Sequence, residues 1–254
     1  MEVTKKSPKR RFFGIIKLMS IEKFSPKTEN KQELTPEQIR AIEQMPVFPN
    51  EKVELILVKT GLKSVAEIEL FSDTWEGQKG EKPKKISQDK IREIAEDVKQ
   101  AGLVAEVGEP EEDMVKRIKE NIPEEEIKPE DEIEQKREKI RISVAADENK
   151  LKKYLEAIKT GSDTDLGKLY GFPESAIKAY QKEREGKGSF LLSRSELPDD
   201  KKAQEESLFL TFMIAKDNPE EAMETARKWA QKVEEVNPSI YREYIKWMRE
   251  VENF

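Results

Sequence analysis

The chain contains no cysteine and no histidine, so neither a disulfide nor a metal bound through thiolate or imidazole can staple it, and a packed apolar core has to hold it folded. Material for that core is scarce. Of 254 residues, 39% are charged and 35% hydrophobic, whereas soluble domains average about 25% charged. Leu, Ile, Val and Phe still supply 60 residues, above the roughly 20% share below which a chain stays disordered. The core is therefore expected from a few concentrated apolar runs, with the remaining stretches outside it.

The same absence narrows the chemistry. Without imidazole or thiol the chain lacks the side chain best suited to proton transfer near neutral pH, and it lacks thiol nucleophiles. Acid and base work by carboxylates, lysine or tyrosine, oxygen-ligated magnesium or calcium, and binding without chemistry stay open. The net charge of −6 removes unspecific attraction to nucleic acid or to an anionic membrane as the default. Residues 12–19 (FFGIIKLM), behind the basic KKSPKRR, imitate the start of a secretion signal. The run is short, Lys17 interrupts it and no small-residue cleavage site follows, so a cytoplasmic protein is expected. No stretch approaches the roughly 20 apolar residues that span a bilayer.

Charge is distributed unevenly. Residues 1–31 carry nine Lys or Arg against three Glu, and 106–138 carry fourteen Asp or Glu against six Lys or Arg. The first reads as a basic tail over 1–35, the second as an acidic helix and linker over 109–138. Between them, 36–108 reads as a small α/β lobe. In it, 53–60 (VELILVKT) and the alternation of Ala66, Ile68 and Leu70 predict two adjacent strands, a helix follows with Ser87 as N-cap and Gly102 at its end, and 103–107 forms a short strand. Residues 75–85 have loop chemistry. The remainder, 139–254, reads as a helix-rich α/β lobe. Ile140, Ile142 and Val144 alternate as a strand, and Asp147 caps a helix facing inward with Leu151, Tyr154, Leu155 and Ile158. Residues 208–215 (LFLTFMIA) are apolar on both faces, like a central strand, with a buried helix as the alternative. Asn218 and Pro219 open a helix striped with Ala222, Ala226, Trp229, Ala230 and Val233, and Pro238 opens the last, with Tyr241, Tyr244, Ile245 and Met248 inward. The expected fold is thus α/β, with α+β as its alternative, in two small lobes.

Residues 161–182 carry the densest local signals. Gly161 ends one helix, Ser162 with Asp165 caps a short one presenting Leu166, Leu169 and Tyr170, Gly171 turns the chain, and Pro173 opens another helix facing inward with Ala176, Ile177 and Tyr180. The pattern of Gly167 and Gly171 among these apolar positions is similar to the bacterial helix-turn-helix family. That resemblance implies a DNA-binding regulator using 163–184, with Glu174, Ser175, Lys178 and Lys182 toward a major groove and the basic arm on phosphates. Pro173 and Glu174 at the groove-facing start weigh against it.

The run LGKLYGFPESA (166–176) also resembles the Leu-Gly-x-Leu-Leu-Gly-Tyr-Pro-x-Cys-Cys motif of an uncharacterised archaeal and bacterial domain of unknown function. The place of that family's later Pro-Cys-Ser-x-x-Cys-Glu-x-Ser segment would be IAKDNPEEA (214–222), which does not resemble it, whereas the helix after it does. The family's cysteines fall at Ser175, Ala176, Ala215 and Pro219, none of which replaces a thiolate. The resemblance implies a shared fold across the C-terminal half more than a shared activity.

Other candidates are thinner. Asp163 and Asp165, with Asp147 and Glu148, are the weak candidate set for magnesium, yet capping two helix starts accounts for all four. EGKGS (185–189) lacks the spacing of a phosphate loop, and Ser193 and Ser195 have no histidine to activate them. The reading that results is a non-catalytic cytoplasmic binding protein with a protein or small-molecule partner, no cofactor, no catalytic residue and no membrane attachment. DNA binding is the alternative, and a magnesium-dependent carboxylate enzyme the second alternative.

Overall fold

The alternation at 140–144 becomes the middle of the sheet. In the computed structural model, which describes residues 34–72, 85–118, 132–186, 191–192 and 201–252, three strands bind antiparallel to one. These are β1 (Val65–Phe71) along one edge, then β2 (Val104–Val107) and β3 (Glu111–Ile118) along the other, and the strand they share is β4 (Glu132–Ala145). Val65 pairs with Ala145 and Phe71 with Lys139. The Gly108 N–H donates to Arg141 O at 2.8 Å, holding the chain on β4 between β2 and β3. The described residues belong to one unit, Lys31–Phe254. Nearly all of the expected basic tail, most of 75–85, part of 185–189, Ser193 and Ser195 lie outside the described residues.

Helices cover both faces of this sheet, so the fold is mixed α/β. Ala66, Ile68, Leu70, Ile140, Ile142 and Val144 form one face, each at most 4% exposed. They pack with α1 (Pro36–Gln44), α2 (Pro49–Lys59), α3 (Gln88–Gln100), α8 (Pro219–Val236) and α9 (Pro238–Glu252) in the larger core. On the other face Val65, Val104 and Ala145 meet α4 (Glu148–Thr160) and α5 (Asp163–Leu169) through Leu151, Tyr154, Leu166 and Leu169. The remaining elements are α6 (Glu174–Arg184), a two-residue pair of strands β5 (Leu191–Leu192) and β6 (Ile214–Ala215), and α7 (Lys201–Ser207). Among the described residues no helix is long and apolar enough to cross a membrane.

Several expectations are corrected. Residues 53–59 are helix, not strand. A run apolar all round suits a helix in the middle of a core as well as a central strand, and the signals that choose helix sit just upstream. Pro49 occupies the first turn, and Glu51 reaches back so that its Oε2 accepts from the Phe48 N–H at 2.8 Å. Residues 208–213 are not a strand either. Leu208, Phe209 and Leu210 are buried, but their N–H groups bond locally, to Glu205, Glu206 and Ser207 O, and Tyr244 Oη donates to Leu208 O at 2.6 Å. Apolarity there records burial of side chains in an irregular segment. Finally, the acidic stretch 109–138 is strand at 111–118 and 132–138, not helix. There Asp113 pairs with Arg137 Nε across the strands at 2.8 Å. Since β1 and β4 share a sheet and one core spans both, the expected division into lobes at that stretch gives way to a single body.

The corner at 161–184 forms as expected. Gly161 caps α4 in the left-handed region, and Ser162 Oγ accepts from the Asp165 N–H at 3.3 Å. A side chain on Gly167 would meet Ile177 Cγ1 at 2.8 Å, so α5 and α6 touch through the missing Cβ. Gly171 has φ +73°, and a Cβ there would lie 2.5 Å from Leu62 O. The turn is therefore seated on the α2–β1 connection, where the Ser64 N–H also donates to Leu169 O at 2.8 Å. Tyr180, expected inward, is 38% exposed, and Pro173 caps α6 rather than occupying its first position.

Candidate ligand-binding recess

Alternation along β1 turns Val65, Glu67, Glu69 and Phe71 away from the larger core. Because β1 is an edge strand, the polar part of this row borders the start of α2 and the side of α9. There Phe48, Asn50, Glu51, Glu67, Glu69, Phe71 and Trp247 line a recess of about 320 Å³. Phe48 and Trp247 form its rim, ring centroids 6.5 Å apart, with Phe48 half-exposed.

The carboxylates are held in place. Glu51 is 5% exposed. While its Oε2 caps α2, its Oε1 accepts from the Glu69 N–H at 2.7 Å, blocking the edge of β1 against further strand pairing. Burial raises its carboxyl above the ordinary range, against the pull of these two N–H groups. Glu67 accepts from Tyr154 Oη and lies 3.3 Å from Arg141 Nε. Glu69 pairs with Lys139 Nζ and lies 3.7 Å from Arg141 Nε. Tyr154 and Tyr170 hydroxyls are 3.0 Å apart. Burial, reinforced by the Glu67 charge, pushes both phenols above the ordinary tyrosine range, so they stay protonated donors at neutral pH. Beside them, the Arg137 guanidinium sits 3.6 Å from the centroid of the Phe71 ring. One acceptor is left over: Asn50 Oδ1 is buried and has no hydrogen-bond partner.

A second carboxylate-and-ring arrangement lies inside the protein. Lys63, 3% exposed, bonds both Glu54 oxygens at 2.5 and 2.6 Å and Thr211 Oγ1 at 3.3 Å, and its Nζ stands 4.2 Å from the Trp229 ring centroid. Burial draws its ammonium below the ordinary lysine range, with Glu54 opposing.

The residues singled out by sequence lie elsewhere. Asp163 pairs with Arg184, while Asp165 accepts from Ser162 Oγ at 2.6 Å, so the structure engages the two carboxylates separately. Among the described residues, no group of three or more Asp or Glu is placed to hold a metal. Glu174 and Lys178 are exposed and pair with each other at 2.7 Å, Lys182 is exposed, and Ser175 is half-buried with its Oγ unpartnered. Of the positions matching the family's cysteines, Ala176 and Ala215 are buried, Ser175 lies beside Ala176 in α6, and Pro219 opens α8. The recess residues carried one signal, the row Glu67, Glu69, Phe71 opposite an apolar face. Nothing local tied that row to Trp247. No protein-family model, curated protein or solved structure matches the chain.

Proposed function

We propose that this is a non-catalytic cytoplasmic binding protein whose ligand sits in the recess between the start of α2, the edge of β1 and α9. The observation that carries the reading is the recess itself, about 320 Å³, rimmed by Phe48 and Trp247 and walled by carboxylates held in place. The ionisable groups around it favour holding over reacting. Each carboxylate is engaged by a backbone N–H, a phenol or a cation, and the phenols keep their protons. The resemblance to the cysteine-bearing family is consistent with this, because the equivalents of its reactive positions here are serine, alanine and proline.

The test is ligand-observed NMR on the full chain with a mixed set of small cationic, neutral and anionic compounds, repeated on Trp247→Leu. We expect at least one compound to bind the full chain and to lose binding in the variant. A set in which no compound distinguishes the two would remove the reading.

DNA binding is the second reading, favoured by one observation: α5 and α6 form the helix pair, with the start of α6 on the surface. The Glu174–Lys178 pair cancels much of the charge that helix offers. Fluorescence anisotropy with a random-sequence duplex at low salt decides it. Binding that survives in wild type and falls at least tenfold in Lys178→Glu/Lys182→Glu would favour DNA; no binding by wild type ends that reading.

A further inference from the structure

The two edges of the sheet are treated differently. Along β1 the Glu69 N–H is taken by Glu51, and α2 packs beside the strand. Along β3 no strand lies on the outer side among the described residues, since β3 pairs with β4 alone. Which backbone groups face that side follows from a neighbouring bond. The Gly108 N–H donates to Arg141 O, so the odd-numbered residues of β4 turn their N–H and C=O groups toward β2 and β3. With Asp113 opposite Arg137, the odd-numbered residues of β3 therefore bond β4, and the even-numbered ones, Met114 at their centre, point N–H and C=O outward.

We propose that this edge binds the same edge of a second copy of the chain, antiparallel about a two-fold axis at Met114, joining two sheets into one. The order of charges along the strand, EEDMVKRI, carries the assignment, because it runs from acids to bases. Identical strands related by a two-fold axis pair residues of the same parity, since only those turn N–H and C=O groups to each other. With the axis at Met114, Glu111 stands opposite Arg117 of the second copy and Glu112 opposite Lys116, and symmetry makes each pair twice. An axis at Val115 instead sets Met114 against Lys116 and Glu112 against Ile118, and makes Arg117 compete with Arg137 for Asp113. A parallel pairing in register sets every charge against its like. Charges on an edge strand ordinarily keep other strands away, but in this order they admit a second copy in one register. The other edge without a strand among the described residues, 132–137 of β4, lacks the property: each register that sets Lys136 against Glu132 or Glu134 also sets a glutamate against a glutamate.

Sedimentation velocity on the full chain, from micromolar to near-millimolar concentration at low ionic strength, tests this. Wild type is expected to pass from monomer to dimer. Met114→Pro removes an N–H that points away from β4, so it spares the chain's own ladder while deleting the bonds at the axis, and it should weaken the dimer at least tenfold. Arg117→Glu and Glu111→Lys should each weaken it at least fivefold, and an equimolar mixture of these two should dimerise as wild type does, because every pair across the axis is again acid against base. Circular dichroism confirms that the variants fold. A wild type that stays monomeric, a dimer as strong in Met114→Pro as in wild type, or a mixture no stronger than its two components overturns the pairing. Should the proline variant unfold, the charge variants and their mixture decide it.

Discussion

Two places in this protein set carboxylates against aromatic rings, and they differ in how far the chain closes around them. Around Lys63 the chain closes completely. Glu54 from α2, Thr211 from the segment after α7, Trp229 from α8 and Phe172 from the helix corner surround one ammonium. Around the recess it stays open, with Phe48 half-exposed and the carboxylates tied only along one side. An enclosed ion pair gains little net stability from its formation, because desolvation offsets the attraction, but it is costly to break. An open one can exchange its cation with solvent. The enclosed arrangement therefore fixes how four elements meet, and the open one is suited to recognition.

Breaking the enclosed pair has the largest expected effect. Lys63→Met keeps the apolar contact with Trp229 but leaves Glu54, its side chain 17% exposed, without its cation. The loss should be about 3 kcal/mol, the low end for removing one partner of a buried pair. The double variant Lys63→Met/Glu54→Gln should recover more than half of it, since the stranded charge causes most of the loss. Urea unfolding followed by circular dichroism measures both. A single variant within about 0.5 kcal/mol of wild type would show that Lys63 is not the element that fixes this junction.

The wall of that enclosure gives the next effect. Gly171→Ala forces a left-handed residue to carry a Cβ and drives it to 2.5 Å from Leu62 O, in the turn that presses on Lys63. Gly161 has a similar φ of +69° and nothing within 4 Å of the equivalent Cβ. Alanine at Gly161 should cost about 1 kcal/mol, the ordinary penalty for the left-handed region, and at Gly171 at least about 1 kcal/mol more. Thermal melts of the two variants compare them directly. Equal losses would mean that the turn yields and that the contact with the α2–β1 connection is unimportant.

This contrast also marks what the chain discloses locally. The striped helix at 219–236 could be read because its cap, Asn218, its Pro219 and its spacing of Ala222, Ala226, Trp229, Ala230 and Val233 all lie within one segment, and those five are the residues the structure buries. The corner could be read for the same reason, both glycines being required by contacts within it or just beside it. The strands of 111–118 and 132–138 could not, because a pair such as Asp113 and Arg137 meets only across strands, more than twenty residues apart in sequence. Residues 53–59 were ambiguous in periodicity, and the cap formed by Glu51 was the deciding detail. Lys63 and the recess were invisible for a deeper reason. Lys63 meets Trp229, and Glu69 shares a cavity with Trp247, and no spacing rule links residues so distant.

The phenol that donates to Glu67, a carboxylate of the open site, gives a smaller effect than the enclosed pair and the most specific signature. Tyr154→Phe removes the phenol that donates to Glu67 while leaving Arg141 beside that carboxylate, so it should cost about 1.5 kcal/mol at pH 7. Its size then changes with pH. In the unfolded chain the phenol ionises near pH 10, whereas in the folded protein burial and the Glu67 charge hold its proton well above that. Its contribution is thus fully present below pH 10 and is lost as pH rises toward the folded value, at about 1.4 kcal/mol per pH unit. Wild type and Tyr154→Phe should therefore differ at pH 7 and converge near pH 11, with Tyr170, raised by the same causes, leaving a residual alkaline slope in the variant. Urea midpoints at pH 7, 9 and 11 follow this. Parallel curves across that range would show that Tyr154 is not held protonated by its surroundings, and Glu67 would then be tied by Arg141 alone.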